Sequence, residues 1–108
     1  SRVMQSKGLS DGSMLVAQTG PDSGNSFRLK DGLNTVGRNP DTNNICVNDP
    51  AIGRNHCTLR LNKGHITVHD LGSPNGTSIN GDMIEGLELQ SQDVVTTGGT
   101  RLVFLAMG

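Results

Sequence analysis

Two arginines and a histidine carry the first chemical interest in this chain. The stretch from Gly37 to Leu61, GRNPDTNNICVNDPAIGRNHCTLRL, contains Gly-Arg twice, as Gly37-Arg38 and Gly53-Arg54, and the second pair is followed by Asn55 and His56. A guanidinium is a rigid fork of N–H donors that matches a phosphate or a carboxylate. Arg38 and Arg54 on neighbouring loops can jointly receive a dianion. A lone arginine beside glycine is ordinarily a solvated surface charge, so the order and spacing of the surrounding stretches must decide. His56 leaves three roles open: catalyst, metal ligand or brace.

Catalysis needs a constellation that the sequence does not show. There is no Walker loop and no Gly-x-Ser-x-Gly, and the three histidines lack the spacing of a metalloprotease pair. His65 and His69 share a strand face but lie about 13 Å apart at strand rise, too far to chelate one metal. Asp41, Asn43 and Asn44 lack the glycine and closing glutamate of a calcium loop. Cys46 and Cys57 make at most one disulfide, match no zinc spacing and read as small buried thiols. No catalytic residue, metal or cofactor is expected.

The elements that position these residues must come from one domain, because 108 residues supply a single hydrophobic core. Hydrophobic residues make up 32%, and with 15 glycines added the apolar fraction is that of an ordinary globular protein. A net charge of −1 with scattered basic residues offers no stripe for nucleic acid or anionic membrane. No apolar run approaches a spanning length, and the N-terminus lacks a signal peptide's apolar region. These features lead to the expectation of a soluble, cytoplasmic protein without membrane insertion. Residues 1–12 read as a flexible tail or linker, and residues 13–108 as the folded domain.

Glycine, proline and Asn/Asp punctuate short alternating or β-branched stretches, which predicts strands joined by turns. Strands are expected at Met14 to Gln18, Ser26 to Leu29, Thr35 to Gly37, Ile45 to Val47, Cys57 to Leu61, His65 to His69, Ser78 to Ile79, Asp93 to Thr97 and Arg101 to Leu105. Cys57, Leu59 and Leu61 alternate with polar neighbours, as do Ile66 and Val68, so each strand has one wet face. Asn62-Lys63-Gly64 and Gly98-Gly99 are the expected hairpin loops. Short, regularly spaced strands predict an all-β, antiparallel sandwich with binding loops at one end.

The loop stretches together resemble the forkhead-associated (FHA) domain. The resemblance rests on Gly37-Arg38, on Gly53-Arg54-Asn55-His56, and on Asp70-Leu71-Gly72-Ser73-Pro74-Asn75-Gly76-Thr77-Ser78-Ile79-Asn80-Gly81. It covers Met14 to Leu105. It implies a β-sandwich that reads phosphothreonine peptides and serves as the regulatory domain of a larger signalling protein. The implied phosphopeptide-binding residues are Arg38, Gly53, Arg54 and Asn75. His56, Gly37, Gly76 and Asn80 are implied to brace the loops, and the loop with Ala51 and Ile52 to read the peptide beside the phosphothreonine. The implied partner is a phosphothreonine protein or peptide, with another domain of the same polypeptide as a second class. The tail contains no threonine, so it is not expected to supply the ligand.

Two departures from the family pattern matter. Gly53 stands where a serine hydroxyl and amide usually meet phosphate, and Pro74 stands where a threonine commonly precedes the asparagine. A hydrogen bond to a charged group contributes about 1.5–3 kcal/mol, so losing one weakens binding roughly tenfold to a hundredfold. The Gly53 backbone N–H is expected to recover part of that loss. The alternative is an FHA-fold interaction or scaffold domain that no longer recognises phosphate.

Overall fold

A computed structural model describes residues 13–63, 65–83 and 87–106. The expected tail, residues 1–12, and residues 107–108 at the end of the expected domain lie outside the described residues. Eleven strands form: β1 (Met14–Ala17), β2 (Ser26–Arg28), β3 (Gly32–Gly37), β4 (Ile45–Cys46), β5 (Cys57–Asn62), β6 (His65–Asp70), β7 (Thr77–Ile79), β8 (Asp82–Met83), β9 (Leu87–Leu89), β10 (Val94–Thr97) and β11 (Thr100–Leu105). One sheet has the order β2-β1-β11-β10-β7-β8 and the other β4-β3-β5-β6-β9.

Alternation drives the packing of these sheets. In β5, Cys57, Leu59 and Leu61 are buried, and in β6 Ile66 and Val68 are buried. They face Leu15, Ala17, Val95, Leu102 and Phe104 of the other sheet across one core. Leu29, Val47 and Ile52 close that core from outside the strands. The expected all-β sandwich therefore forms, and every predicted strand has a counterpart within one to three residues at each end.

Three details differ from the sequence reading. First, β3 and β4 run parallel, with Val36 beside Ile45 and Gly37 beside Cys46. Side chains hold the returning loop there: Asn44 Oδ1 accepts the Thr35 N–H at 2.7 Å, and the Thr35 hydroxyl donates to the Thr42 carbonyl at 3.1 Å. Second, β8 and β9 match none of the expected strands, because strands of two and three residues are too short to display a period. Third, Asn62 pairs with His65 inside the β5–β6 ladder, so the loop is one residue shorter than expected. Lys63 takes φ 52° there, and Gly64 lies outside the described residues. At the other expected hairpin Thr97 pairs with Thr100, leaving the two-residue loop Gly98-Gly99 with φ 60° at Gly98.

Register also settles the cysteines. Cys46 and Cys57 flank β3 on opposite sides, beside Gly37 and Val36. Two inter-strand spacings, roughly 10 Å, separate their backbones, beyond disulfide reach. Both are free; Cys57 is buried, whereas Cys46 is only partly so, which corrects the buried reading for Cys46. Burial pushes the Cys57 thiol up to about 12.

The same pairings gather the loops. Gly37 ends β3, Cys57 starts β5, Asp70 ends β6, Thr77 starts β7 and Thr97 ends β10, all at one end of the sandwich. The segments 38–44, 47–56, 71–76 and 98–99 therefore emerge together.

Candidate functional site

At this end the first constraint is a glycine. A Cβ built on Gly37 would overlap the Arg54 carbonyl oxygen and lie 2.6 Å from Asn43 Nδ2. Without that Cβ, two loops interlock: Arg38 N–H donates to Gly53 O at 3.0 Å and Asn39 N–H to Arg54 O at 3.3 Å. Asn43, buried, clamps the crossing by donating through Nδ2 to Arg54 O at 2.6 Å and to Asn39 O at 2.8 Å. The Thr42 hydroxyl adds a bond to Asn55 Oδ1 at 2.7 Å.

This crossing fixes where both guanidiniums leave the backbone. Arg38 Nε donates to Ile52 O at 3.0 Å, and its two terminal nitrogens make no hydrogen bond among the described residues. Arg38 and Arg54 are exposed, and neither forms an ion pair among the described residues. Two exposed cations that leave crossed loops without a carboxylate partner among the described residues are suited to attracting an anion.

His56 ties three segments together from a fully buried position. The Gly53 N–H donates to its Nδ1 at 3.0 Å, so Nδ1 must accept. Nε2 lies 2.8 Å from the Gly76 carbonyl, so Nε2 carries the proton and donates. Its own N–H donates to Val36 O at 2.8 Å, and its carbonyl accepts the Leu71 N–H at 2.9 Å. One neutral ring thus spans the 47–56 loop and the 71–76 loop while its backbone joins β3.

Two buried or half-buried carboxylates pin the remaining loops. Asp49 accepts the Ala51 N–H at 2.9 Å, the Gly99 N–H at 2.8 Å and the Thr100 hydroxyl at 2.9 Å. Burial would raise its pKa, but these donors outweigh burial and hold the carboxyl below its ordinary value of 3.8. Asp70 accepts the Ser73 N–H at 2.9 Å, the Ser73 hydroxyl at 2.6 Å and the Thr77 hydroxyl at 2.7 Å. Burial again acts upward, and the Ser73 and Thr77 donors again win, so its carboxyl is lowered too. From that anchor the loop delivers exposed Asn75, whose Nδ2 donates to Ala51 O at 3.0 Å. Gly76 follows at φ +74°, a conformation costly for other residues, with Met83 Cε packed where a Cβ would be.

The structure thus brings Gly37, Arg38, Ala51, Gly53, Arg54, His56, Asn75 and Gly76 to one end. Three sequence expectations are corrected. The Gly53 N–H is donated to His56, so it is not the spare phosphate donor expected to offset the missing serine. Ile52 is 2% exposed and its side chain belongs to the core, leaving Ala51 as the exposed member of that pair. Asn80 braces the far end of β7: its Nδ2 donates to Asp93 Oδ1 at 3.0 Å and its Oδ1 accepts the Val94 N–H at 2.9 Å. Asn43, Asp49 and the anchoring role of Asp70 were missed. Asp49-Pro50 was a readable turn signal, whereas Asn43 shows its role only when the loops meet. Among the described residues no group of His, Cys, Asp or Glu could hold a metal ion.

Known proteins share this architecture. The family model described as the cytoplasmic domain of the inner membrane component of the type III secretion system matches residues 17–108. Glycogen accumulation regulator GarA of Mycobacterium tuberculosis is 38% identical over 106 residues, 97% of this chain and 65% of that protein. The oxoglutarate dehydrogenase inhibitor of Corynebacterium jeikeium is 37% identical over 100 residues, 92% of this chain and 69% of that protein. The chain therefore spans about two thirds of the length of such relatives. The FHA domain of CT664 from Chlamydia trachomatis superposes with a TM-score of 0.80 at 29% identity, over 89% of this chain and 98% of that one. With the sandwich, the interlocked Gly-Arg loops and these matches together, the chain belongs to the forkhead-associated domains of the type represented by that secretion-system cytoplasmic domain.

Proposed function

We propose that this chain is a phosphothreonine-dependent interaction module, a reader that docks a partner after a kinase has acted and performs no chemistry itself. The observation that carries the reading is the pair of exposed guanidiniums, Arg38 and Arg54, leaving interlocked loops without an acidic partner among the described residues. Phosphothreonine brings about −1.5 to −2 charge and three acceptor oxygens to such a face. Asn75 is tied to the same loop as Arg38, its Nδ2 holding Ala51 O where Arg38 Nε holds Ile52 O, and its carboxamide oxygen would take a peptide N–H. The naming of relatives as a regulator and an inhibitor agrees with a non-enzymatic role. Among the described residues no helix is long and apolar enough to cross a membrane, and the matched family is a cytoplasmic domain, which supports action in the cytoplasm.

Binding is weaker than in a domain with the full donor set. Gly53 has no hydroxyl and its N–H serves His56, while Pro74 has no N–H at all. Those same observations favour a second reading, an FHA-fold scaffold that packs against a partner without phosphate. Titration with a degenerate phosphothreonine peptide library separates the two, with the unphosphorylated library and Arg38→Ala as controls. A reader binds the phosphorylated library and loses it with Arg38→Ala. Absence of binding at millimolar peptide, an affinity of only about −4 kcal/mol, leaves the scaffold reading.

A further inference from the structure

Met83 is 66% exposed, more than Leu71 at 48% or Leu33 at 44%, the other exposed large apolar side chains among the described residues. It stands on β8, an edge strand of two residues held by the pairing of Met83 with Ser78. Its thioether does not point into empty solvent. A Cβ on Gly76 would overlap Met83 Cε and lie 3.4 Å from Sδ, so the thioether end of the side chain packs against Gly76.

That position is continuous with the proposed phosphate face. Arg38 Nε donates to Ile52 O; the preceding carbonyl, Ala51 O, accepts from Asn75 Nδ2; Gly76 follows Asn75 and carries Met83. An extended peptide advances about 3.3 Å per residue, so a ligand anchored at Arg38 and passing Asn75 reaches the thioether within a few residues. Along this track Ile52 is buried and Ala51 offers a single methyl, whereas Met83 offers a long, unbranched and polarizable surface that adapts to its partner.

We propose that Met83 is a specificity-determining residue of this face, receiving an apolar side chain of the phosphothreonine peptide a few residues from the phosphate. The inference rests on the phosphopeptide reading and names the flanking chemistry that the same site selects. Leu33 cannot serve, since it pairs with Arg60 toward the other end of β3.

The test uses phosphothreonine peptides in which each flanking position carries leucine, serine or aspartate in turn, titrated against the wild type, Met83→Ser and Leu71→Ser. All three proteins are first matched by urea unfolding. The expected result is a leucine preference at one position in the wild type that drops roughly fivefold or more with Met83→Ser. Unchanged leucine preference in Met83→Ser, loss in Leu71→Ser alone, or no leucine preference in the wild type overturns the inference while the phosphate reading stands. Absence of binding to every phosphopeptide overturns both.

Discussion

Each residue of the loop end is shaped by what its neighbours need. Gly37 is required because two carbonyl-bearing loops cross against its α-carbon, and Gly37→Ala forces the Arg54 carbonyl and Asn43 apart. An overpacked site of this kind costs about 1–3 kcal/mol, read as a lower urea midpoint, with loss of ligand affinity because Arg38 and Arg54 are set by the crossing. Gly53 is different. A Cβ there would meet Asn55 O at 3.6 Å and His56 Nδ1 at 3.7 Å, ordinary contacts. Gly53→Ser is therefore accommodated and returns a hydroxyl to the phosphate face; peptide titration should show roughly tenfold to a hundredfold tighter binding of a phosphothreonine ligand. His56→Ala removes a fully buried ring and orphans the Gly53 N–H and Gly76 carbonyl. Its expected cost, from the cavity and the unpaired groups, is about 2–5 kcal/mol by chemical denaturation.

At the scale of elements, the strands supply edges and the side chains of Asn43, Asp49, Asp70 and His56 fasten the loops to them. Two of these fasteners titrate. Asp49 and Asp70 have carboxyls lowered by hydrogen bonds, so the folded state binds their protons less readily than the unfolded chain. Their stabilisation is fully present above the ordinary carboxyl value of 3.8 and is lost as pH falls below it. Urea midpoints measured from pH 7 to pH 2.5 should decline through that acid range, and Asp49→Asn should start lower at neutral pH and decline less. An equal acid slope in the variant would remove Asp49 from the account. Sequence reading found the strands around these fasteners because β5 and β6 alternate apolar with polar residues, and β10 and β11 are β-branched or apolar runs on either side of Gly98-Gly99. It missed β8 and β9, whose few residues carry no period, and the parallel seating of β4, which depends on Thr35 and Asn44 meeting across nine residues.

For the whole molecule, one core and one crowded end divide the labour between stability and recognition. Leu59 lies fully buried between the sheets, so Leu59→Ala should cost about 2–5 kcal/mol in unfolding free energy while leaving the affinity of the folded fraction unchanged. The loop motifs were legible because glycine, arginine, histidine and Asn-Gly keep their chemistry in any context. The use of each donor was not: the sequence shows that Gly53 has an N–H, and the fold shows that His56 takes it. Similarly, Ile52 reads as part of a peptide-reading loop until the core claims its side chain, and Asn80 reads as a brace of the binding loops until β7 carries it to the opposite end.

The most direct test of the central claim is a map of amide chemical shifts in the labelled domain as a phosphothreonine peptide library is added. A phosphothreonine reader moves the resonances of Arg38, Arg54 and Asn75 and their loop neighbours, and the unphosphorylated library leaves them in place. Shifts confined to the Asn80 and Asp93 end, or equal shifts with and without phosphate, would contradict it.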